Sequence, residues 1–135
     1  MLQTNQPQAL PESMPSQTPP AEDSLPELPG IDTQAGLKVA RNKLALYRKL
    51  LLLFHDTKRD FAAEFSNAHA AGDAEAATRA AHSLKGVAAN IGALQLAEAA
   101  KDLELACREQ NAEVEPLFQQ VLAELKPVLE GIERL

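Results

Sequence analysis

The chain has 135 residues, of which 45% are hydrophobic and only 4% aromatic, and it carries a formal net charge of −6. This length fits a single domain, and the negative charge argues against nonspecific nucleic-acid binding, which depends on many phosphate-neutralising cations. The single cysteine, Cys107, excludes an intrachain disulfide framework and fits a reducing compartment. No apolar run reaches the roughly 20 residues of a membrane span, and no signal-peptide pattern is present. We therefore expect a cytoplasmic protein without direct membrane contact.

Residues 1–30 contain seven of the nine prolines, mixed with Gln, Ser, Thr and Glu. This composition is typical of an extended linker or tail. A tether to another domain, a ligand for a proline-binding module and a tail without its own function all remain open. We predict a flexible segment over residues 1–30 and a helical domain over residues 31–135.

The remainder of the chain shows helical spacing of apolar residues, and its Ala- and Leu-rich composition favours packed helices over sheets. Asp32 is the predicted N-cap of a short first helix. Four long helices follow, and they are predicted over residues 42–70, 73–91, 94–110 and 114–132. Short loops between them predict an all-α, antiparallel up-and-down four-helix bundle with a short additional N-terminal helix.

The pattern of residues 79–92 predicts one helix with an apolar face and an opposite, outward face. At about 100° per residue, Leu84, Ala88 and Ile91 fall on an apolar side, whereas His82 and Gly86 fall on the opposite side. A glycine inside a helix costs roughly 1 kcal/mol relative to alanine. Because glycine has no side chain, the surface next to the outward His82 imidazole is left open.

A neutral imidazole is a nucleophile near pH 7 and can accept a phosphoryl group. The added phosphate brings a charge of roughly −1.5 to −2, and Lys85, one turn from His82, can offset it. Arg79 and Ser83 border the same surface, Ala89 lies on the histidine face, and Asn90 is a candidate contact for a partner.

The geometry of a helical hairpin predicts which side chain orients the His82 ring. If the helices on either side of Gly92 and Ala93 run antiparallel, a residue about ten positions before the turn lies level with one about ten or eleven positions after it. This places Leu103 and Glu104 beside His82. A carboxylate there can accept a hydrogen bond from Nδ1–H, which leaves Nε2 as the exposed nucleophile.

The sequence His82-Ser83-Leu84-Lys85-Gly86, followed by residues 88–93 and Leu103-Glu104, resembles the histidine-containing phosphotransfer (HPt) domains of bacterial multistep phosphorelays. The resemblance covers about residues 32–134. It implies that His82 is the phosphoryl acceptor, that Lys85 stabilises the phosphate charge and that Gly86 admits a receiver domain. It also implies that Glu104 occupies a position where Gln or Glu bonds the histidine ring.

The resemblance further implies reversible transfer between His82 and the aspartates of response-regulator receiver domains. The receiver brings the Mg²⁺, and the chain itself needs no cofactor or metal. We expect no ATP-dependent kinase activity of its own, and a monomer. The expected docking residues are Arg79, Ser83, Gly86, Ala89 and Asn90. Both a free-standing protein and the C-terminal domain of a hybrid sensor kinase remain open.

A competing hypothesis is a noncatalytic helical module that binds a partner without phosphorylation. A three-histidine metal site is not favoured, because His55 and His69 are separated from His82 and lie on different helical faces. No nucleotide-binding glycine loop or catalytic triad supports an independent enzyme. The combination of His82, Lys85, Gly86 and Glu104 favours phosphotransfer.

Overall fold

The computed structural model describes Leu25 and residues 27–135. This part of the chain forms α-helices only: α1 (Thr33–Val39), α2 (Leu44–Lys58), α3 (Phe61–Ala70), α4 (Ala74–Asn90), α5 (Leu94–Glu109) and α6 (Val114–Glu133). Helices α2 and α3 together make one arm of an antiparallel four-helix bundle, and α4, α5 and α6 make the other three. The prediction of an all-α bundle with a short leading helix is confirmed.

The prediction of one continuous helix over residues 42–70 is wrong. The structure has two helices there, α2 and α3, separated by a break at Arg59 and Asp60. The Asp60 backbone departs from helical geometry, with φ −99° and ψ 11°. One turn earlier, the Thr57 hydroxyl donates to the Leu53 carbonyl at 2.8 Å, and such bonding to the preceding turn is associated with bent helices. The break lets α2 lie against α6 while α3 packs along α4.

The α4–α5 hairpin is the most extensively packed pair in the bundle. Its shared face is rich in small side chains, which allow two helices to approach closely: Ala77, Ala81 and Ala88 on α4, and Ala99, Ala100 and Ala106 on α5. The aromatic part of the core joins α3 to α6, where Phe65 stacks on Phe118 with ring centroids 4.5 Å apart. The close packing of α4 on α5 therefore fixes the positions from which their outward side chains project.

The turn of this hairpin is held by the N-terminal part of the domain. Gly92 adopts φ +87°, which favours glycine, and a Cβ there would clash with the Asp32 carbonyl. The Asp32 amide donates to the Gly92 carbonyl at 2.8 Å. Tyr47 is fully buried, and its hydroxyl donates to the Ile91 carbonyl at 2.7 Å. Burial, together with the charge of Asp32, raises the pKa of Tyr47 to about 12.

The bundle begins earlier than the predicted boundary between residues 30 and 31. Leu28 is only 4% exposed and belongs to the hydrophobic core. Pro29 lies against Gly131, where an added Cβ would sit 2.9 Å from Pro29 Cδ. The end of the predicted linker is thus packed on the last turns of α6. The rest of that prediction, residues 1–24 and Pro26, lies outside the described residues.

Helix α6 is the longest element and presents an apolar stripe to the core through Val121, Leu125, Val128 and Ile132. Pro127 lies within it, and the helix continues past this residue to Glu133. Among the described helices, neither α6 nor any other combines the length and apolar character that a membrane span requires.

Candidate functional site

His82 lies in the middle of α4 and points away from the core. Its side chain is 64% exposed, whereas Ala81 and Leu84 on either side of it are fully buried. Gly86, one turn further along, is exposed, and a Cβ added there would meet no atom within 4 Å. No contact inside the described part of the protein therefore requires glycine at this position.

Glu104 of α5 is the group that holds the His82 ring. Its Oε2 lies 3.0 Å from His82 Nδ1, so the contact expected from the hairpin geometry is present. The Glu104 side chain is only 5% exposed, and it is the one charged residue buried among the described residues. A buried carboxylate is costly unless it is paired and hydrogen-bonded. Its presence here indicates a specific electrostatic role.

Two cations neutralise this carboxylate. Lys85 Nζ lies 2.9 Å from Oε1, and Arg108 Nη2 lies 2.6 Å from Oε2. Burial alone would raise the pKa of Glu104, but the hydrogen bonds from Lys85, His82 and Arg108 outweigh it and hold the pKa below its usual value. Glu104 is therefore ionised at neutral pH.

The ionised state of Glu104 determines the tautomer of His82. A carboxylate can only accept hydrogen bonds, so the proton of the neutral imidazole must be on Nδ1. The lone pair is then on Nε2, and no group of the described residues hydrogen-bonds that nitrogen. The arrangement presents a fixed ring with an accessible nucleophilic nitrogen.

The predicted docking residues lie on two sides of His82. Ser83 and Asn90 line a groove between α2 and α4, and Gly86 and Ala89 are exposed on α4. Arg79 is on the other side, where it lines a shallow depression with Arg108 and lies 3.9 Å from Glu75. The structure therefore does not place Arg79 beside the groove.

The groove between α2 and α4 has a volume of about 340 Å³. Its wall includes Leu50, Leu53 and Val87, and Leu53 is 58% exposed. Ser83, which follows His82 in the chain, lies at its rim together with Lys58. An apolar surface thus begins directly next to the exposed histidine.

Sequence reasoning missed two residues of this site. Arg108 follows Glu104 by one helical turn, and the acid–base pair at this spacing was a signal that could have identified it. Lys58 of α2 is the other, and its Nζ donates to Ser83 Oγ at 2.8 Å. No local pattern indicates that contact, because it depends on how α2 lies beside α4.

The other two histidines are engaged elsewhere. His55 Nε2 lies 2.9 Å from Glu133 Oε2 at the end of α6, and the His69 ring stacks on Phe65 with centroids 6.0 Å apart. Within the part of the chain that the structure describes, no three His, Cys, Asp or Glu side chains are grouped as a metal site would require.

A helical bundle that presents one oriented histidine on its outer face is the arrangement of a phosphotransfer module. Comparison with known proteins identifies the family: the sequence model of the Hpt domain matches residues 49–134, well over half of the chain. The chain belongs to the Hpt domain family. Hpt domains are phosphotransfer modules of phosphorelays that interact with receiver domains and have no kinase activity.

Two solved structures resemble the whole bundle. Histidine-containing phosphotransfer protein B (HptB) from Pseudomonas aeruginosa PAO1 is 28% identical, with a TM-score of 0.70 over 80% of this chain and 95% of that chain. The HPT domain of a sensor hybrid histidine kinase from Shewanella is 20% identical, with a TM-score of 0.70 over 78% of this chain and 92% of that one. The latter shows similarity of fold alone. No curated protein sequence gave a significant match.

Proposed function

We propose that His82 accepts a phosphoryl group from the aspartyl phosphate of one receiver domain and passes it to the aspartate of another. The observation that carries this proposal is the hydrogen bond between His82 Nδ1 and the buried carboxylate of Glu104, which leaves Nε2 free. In the forward step the Nε2 lone pair forms a bond to phosphorus, and the bond from phosphorus to the aspartate oxygen breaks. The aspartate leaves as a carboxylate, and the return step reverses these changes.

Glu104 is a positioning residue in this mechanism. The Nδ1 proton remains on the ring during the attack, so the ring becomes positively charged as the N–P bond forms. The adjacent carboxylate stabilises that charge, and Lys85 and Arg108 keep the surroundings from becoming too negative for an incoming phosphate. This network explains how Glu, rather than an uncharged Gln, is compatible with phosphoryl transfer.

The chain supplies a positioned nucleophile, and the receiver supplies Mg²⁺ and most of the rate enhancement. We infer no ATP-dependent autophosphorylation, because no nucleotide-binding glycine loop is present in the sequence. A monomer with a modest interface suits a relay protein, because its partners must separate after each transfer.

The receiver docks, in this proposal, over the groove between α2 and α4. Apolar Leu50, Leu53 and Val87 provide area to bury, and the groove adjoins the exposed ring of His82. The open space at Gly86 supports its role in admitting the receiver, since no packing contact within the described residues requires glycine there. Ser83, Ala89 and Asn90 complete the surface, whereas Arg79 lies on the other side of His82, away from the groove.

The test is transfer to the full chain from purified receiver domains that have been charged with radiolabelled acetyl phosphate. The wild type should acquire acid-labile, base-stable label, and His82→Ala should acquire none. His69→Ala is the matched control, because this exposed histidine lies on α3, and it should be labelled like the wild type.

Two results would contradict the proposal. Label that persists in His82→Ala would place the acceptor elsewhere. Receiver binding without any label on the wild type would support the noncatalytic interaction module instead.

A further inference from the structure

Lys58 is a cation held beside the site by an uncharged group. Its Nζ donates to Ser83 Oγ at 2.8 Å, whereas Lys85 and Arg108 are both paired with Glu104. No carboxylate of the described residues lies within 4.0 Å of Lys58 Nζ. One turn earlier on α2 the positions carry Phe54 and His55, and the nearby Asp56 carboxylate lies 3.7 Å from His55 Nδ1.

Lys58 lies where a partner bound over the groove would cover its ammonium group. It is half-buried at the rim of the groove that contains Leu50, Leu53 and Val87. A partner that covers these apolar side chains also removes water from the ammonium group. Removing water from an unpaired charge is strongly unfavourable, whereas an opposite charge with good geometry offsets that cost.

We propose that Lys58 is a specificity-determining residue that binds a carboxylate on the surface of the docking receiver. The inference rests on the proposed function and adds a requirement to it: the partner must place an acidic side chain opposite the end of α2. A receiver with an apolar or basic residue at that point incurs the desolvation cost without compensation and is discriminated against. Ser83 keeps the ammonium in place before binding, which reduces the conformational entropy lost on docking.

The location of Lys58 favours a carboxylate of the partner over the phosphoryl group in transit. Lys58 reaches α4 from the α2 side and contacts Ser83, about 100° around the helix from His82. The network of Lys85, Glu104 and Arg108 lies on the α5 side of the ring. The two sets of charges therefore have separate tasks, with Lys58 on the docking face.

The experiment uses the receiver domain that transfers fastest to the wild-type full chain. Transfer rates are measured over a range of receiver concentrations for the wild type, Lys58→Gln and Lys58→Arg. Lys126→Gln is the matched control, because Lys126 is exposed on α6 and lines a different groove. Circular dichroism and urea unfolding verify that each variant is folded.

Lys58→Gln should raise the half-saturating receiver concentration about tenfold, with a maximal rate within about twofold of the wild type. Its transfer should also depend less on salt. Lys58→Arg should stay close to the wild type, as should Lys126→Gln. Lys58→Glu should lose transfer and regain it with a receiver in which the matching acidic residue has been replaced by lysine.

Three outcomes count against the inference. If Lys58→Gln matches Lys126→Gln at every concentration while the wild type is labelled, the role of Lys58 is excluded and the proposed function stands. A lower maximal rate with an unchanged half-saturating concentration would mean that Lys58 contacts the phosphoryl group, which overturns the docking role. Failure of every receiver to label the wild type would remove the proposed function and this inference with it.

Discussion

Glu104 and His82 are separated by 22 residues in the chain, yet Oε2 of one lies 3.0 Å from Nδ1 of the other. The contact joins two helices that meet at the Gly92 turn, and each residue lies about the same distance from that turn along its own helix. The buried carboxylate thereby controls the ring of an exposed histidine.

Replacing Glu104 should change the tautomer of His82. Glu104→Gln retains an oxygen that can accept from Nδ1–H, so the ring should keep its proton on Nδ1 and transfer should fall by about threefold or less. Glu104→Ala removes the acceptor, and the ring should populate both tautomers and transfer much more slowly. Nitrogen-15 NMR of the imidazole measures the tautomer directly. An Nδ1–H tautomer that is undisturbed in Glu104→Ala would show that another group orients the ring.

The lowered pKa of Glu104 predicts a pH-dependent contribution to stability. Because the folded protein binds this proton less readily than the unfolded chain, the carboxylate stabilises the fold above its usual pKa of 4.5, and this contribution is lost as the pH falls through the lower folded value. Urea unfolding of the wild type and Glu104→Gln measures the difference in free energy of unfolding. The difference should be constant near neutral pH and should change in favour of the variant in acid. Parallel pH profiles for the two proteins would contradict the assigned shift.

The sequence predicted the α4–α5 hairpin because its signals are local and agree with one another. Asp73 caps α4 by accepting from the Ala76 amide at 3.0 Å, and Gly92 ends it, so the register that brings Glu104 to His82 follows from counting residues. The break at Asp60 was not predictable in this way, because Phe54 and Phe61 continue the apolar stripe across it. The contact of Lys58 with Ser83 depends on how two helices are placed side by side, which local patterns do not specify.

Tyr47 offers a test of the way the N-terminal part of the domain holds the hairpin turn. Tyr47→Phe leaves the buried Ile91 carbonyl without its hydroxyl donor and should lower the free energy of unfolding by about 1–3 kcal/mol in urea. Because Tyr47 is the only tyrosine in the chain, phenolate absorbance reports on it alone. The folded wild type should titrate near pH 12, and ionisation near the ordinary value of 10.0 would contradict the burial of this hydroxyl near Asp32.

Lys85 should matter less than the nucleophile it accompanies. Lys85→Ala removes one of the two cations on Glu104 but leaves Arg108 and the His82 contact in place. We expect transfer to be about 10- to 100-fold slower, whereas His82→Ala abolishes it, because the lost cation stabilises charge without forming a bond. Single-turnover transfer from a saturating receiver measures this. A rate in Lys85→Ala equal to that of the wild type would exclude a role in stabilising the phosphate.

Gly86 should show opposite effects on stability and transfer. Since a Cβ at this position meets no atom within 4 Å, Gly86→Ala should stabilise the isolated protein by up to about 1 kcal/mol through helix propensity. Gly86→Leu should also fold, yet its side chain occupies the space beside His82, so transfer from a receiver should slow by at least about tenfold. Gly36→Ala is the contrasting control, because its Cβ would clash with the Tyr47 ring and should destabilise the fold. Urea unfolding and transfer rates measured on the same samples separate the two effects. Unchanged transfer in Gly86→Leu would show that the glycine has no role in admitting the partner.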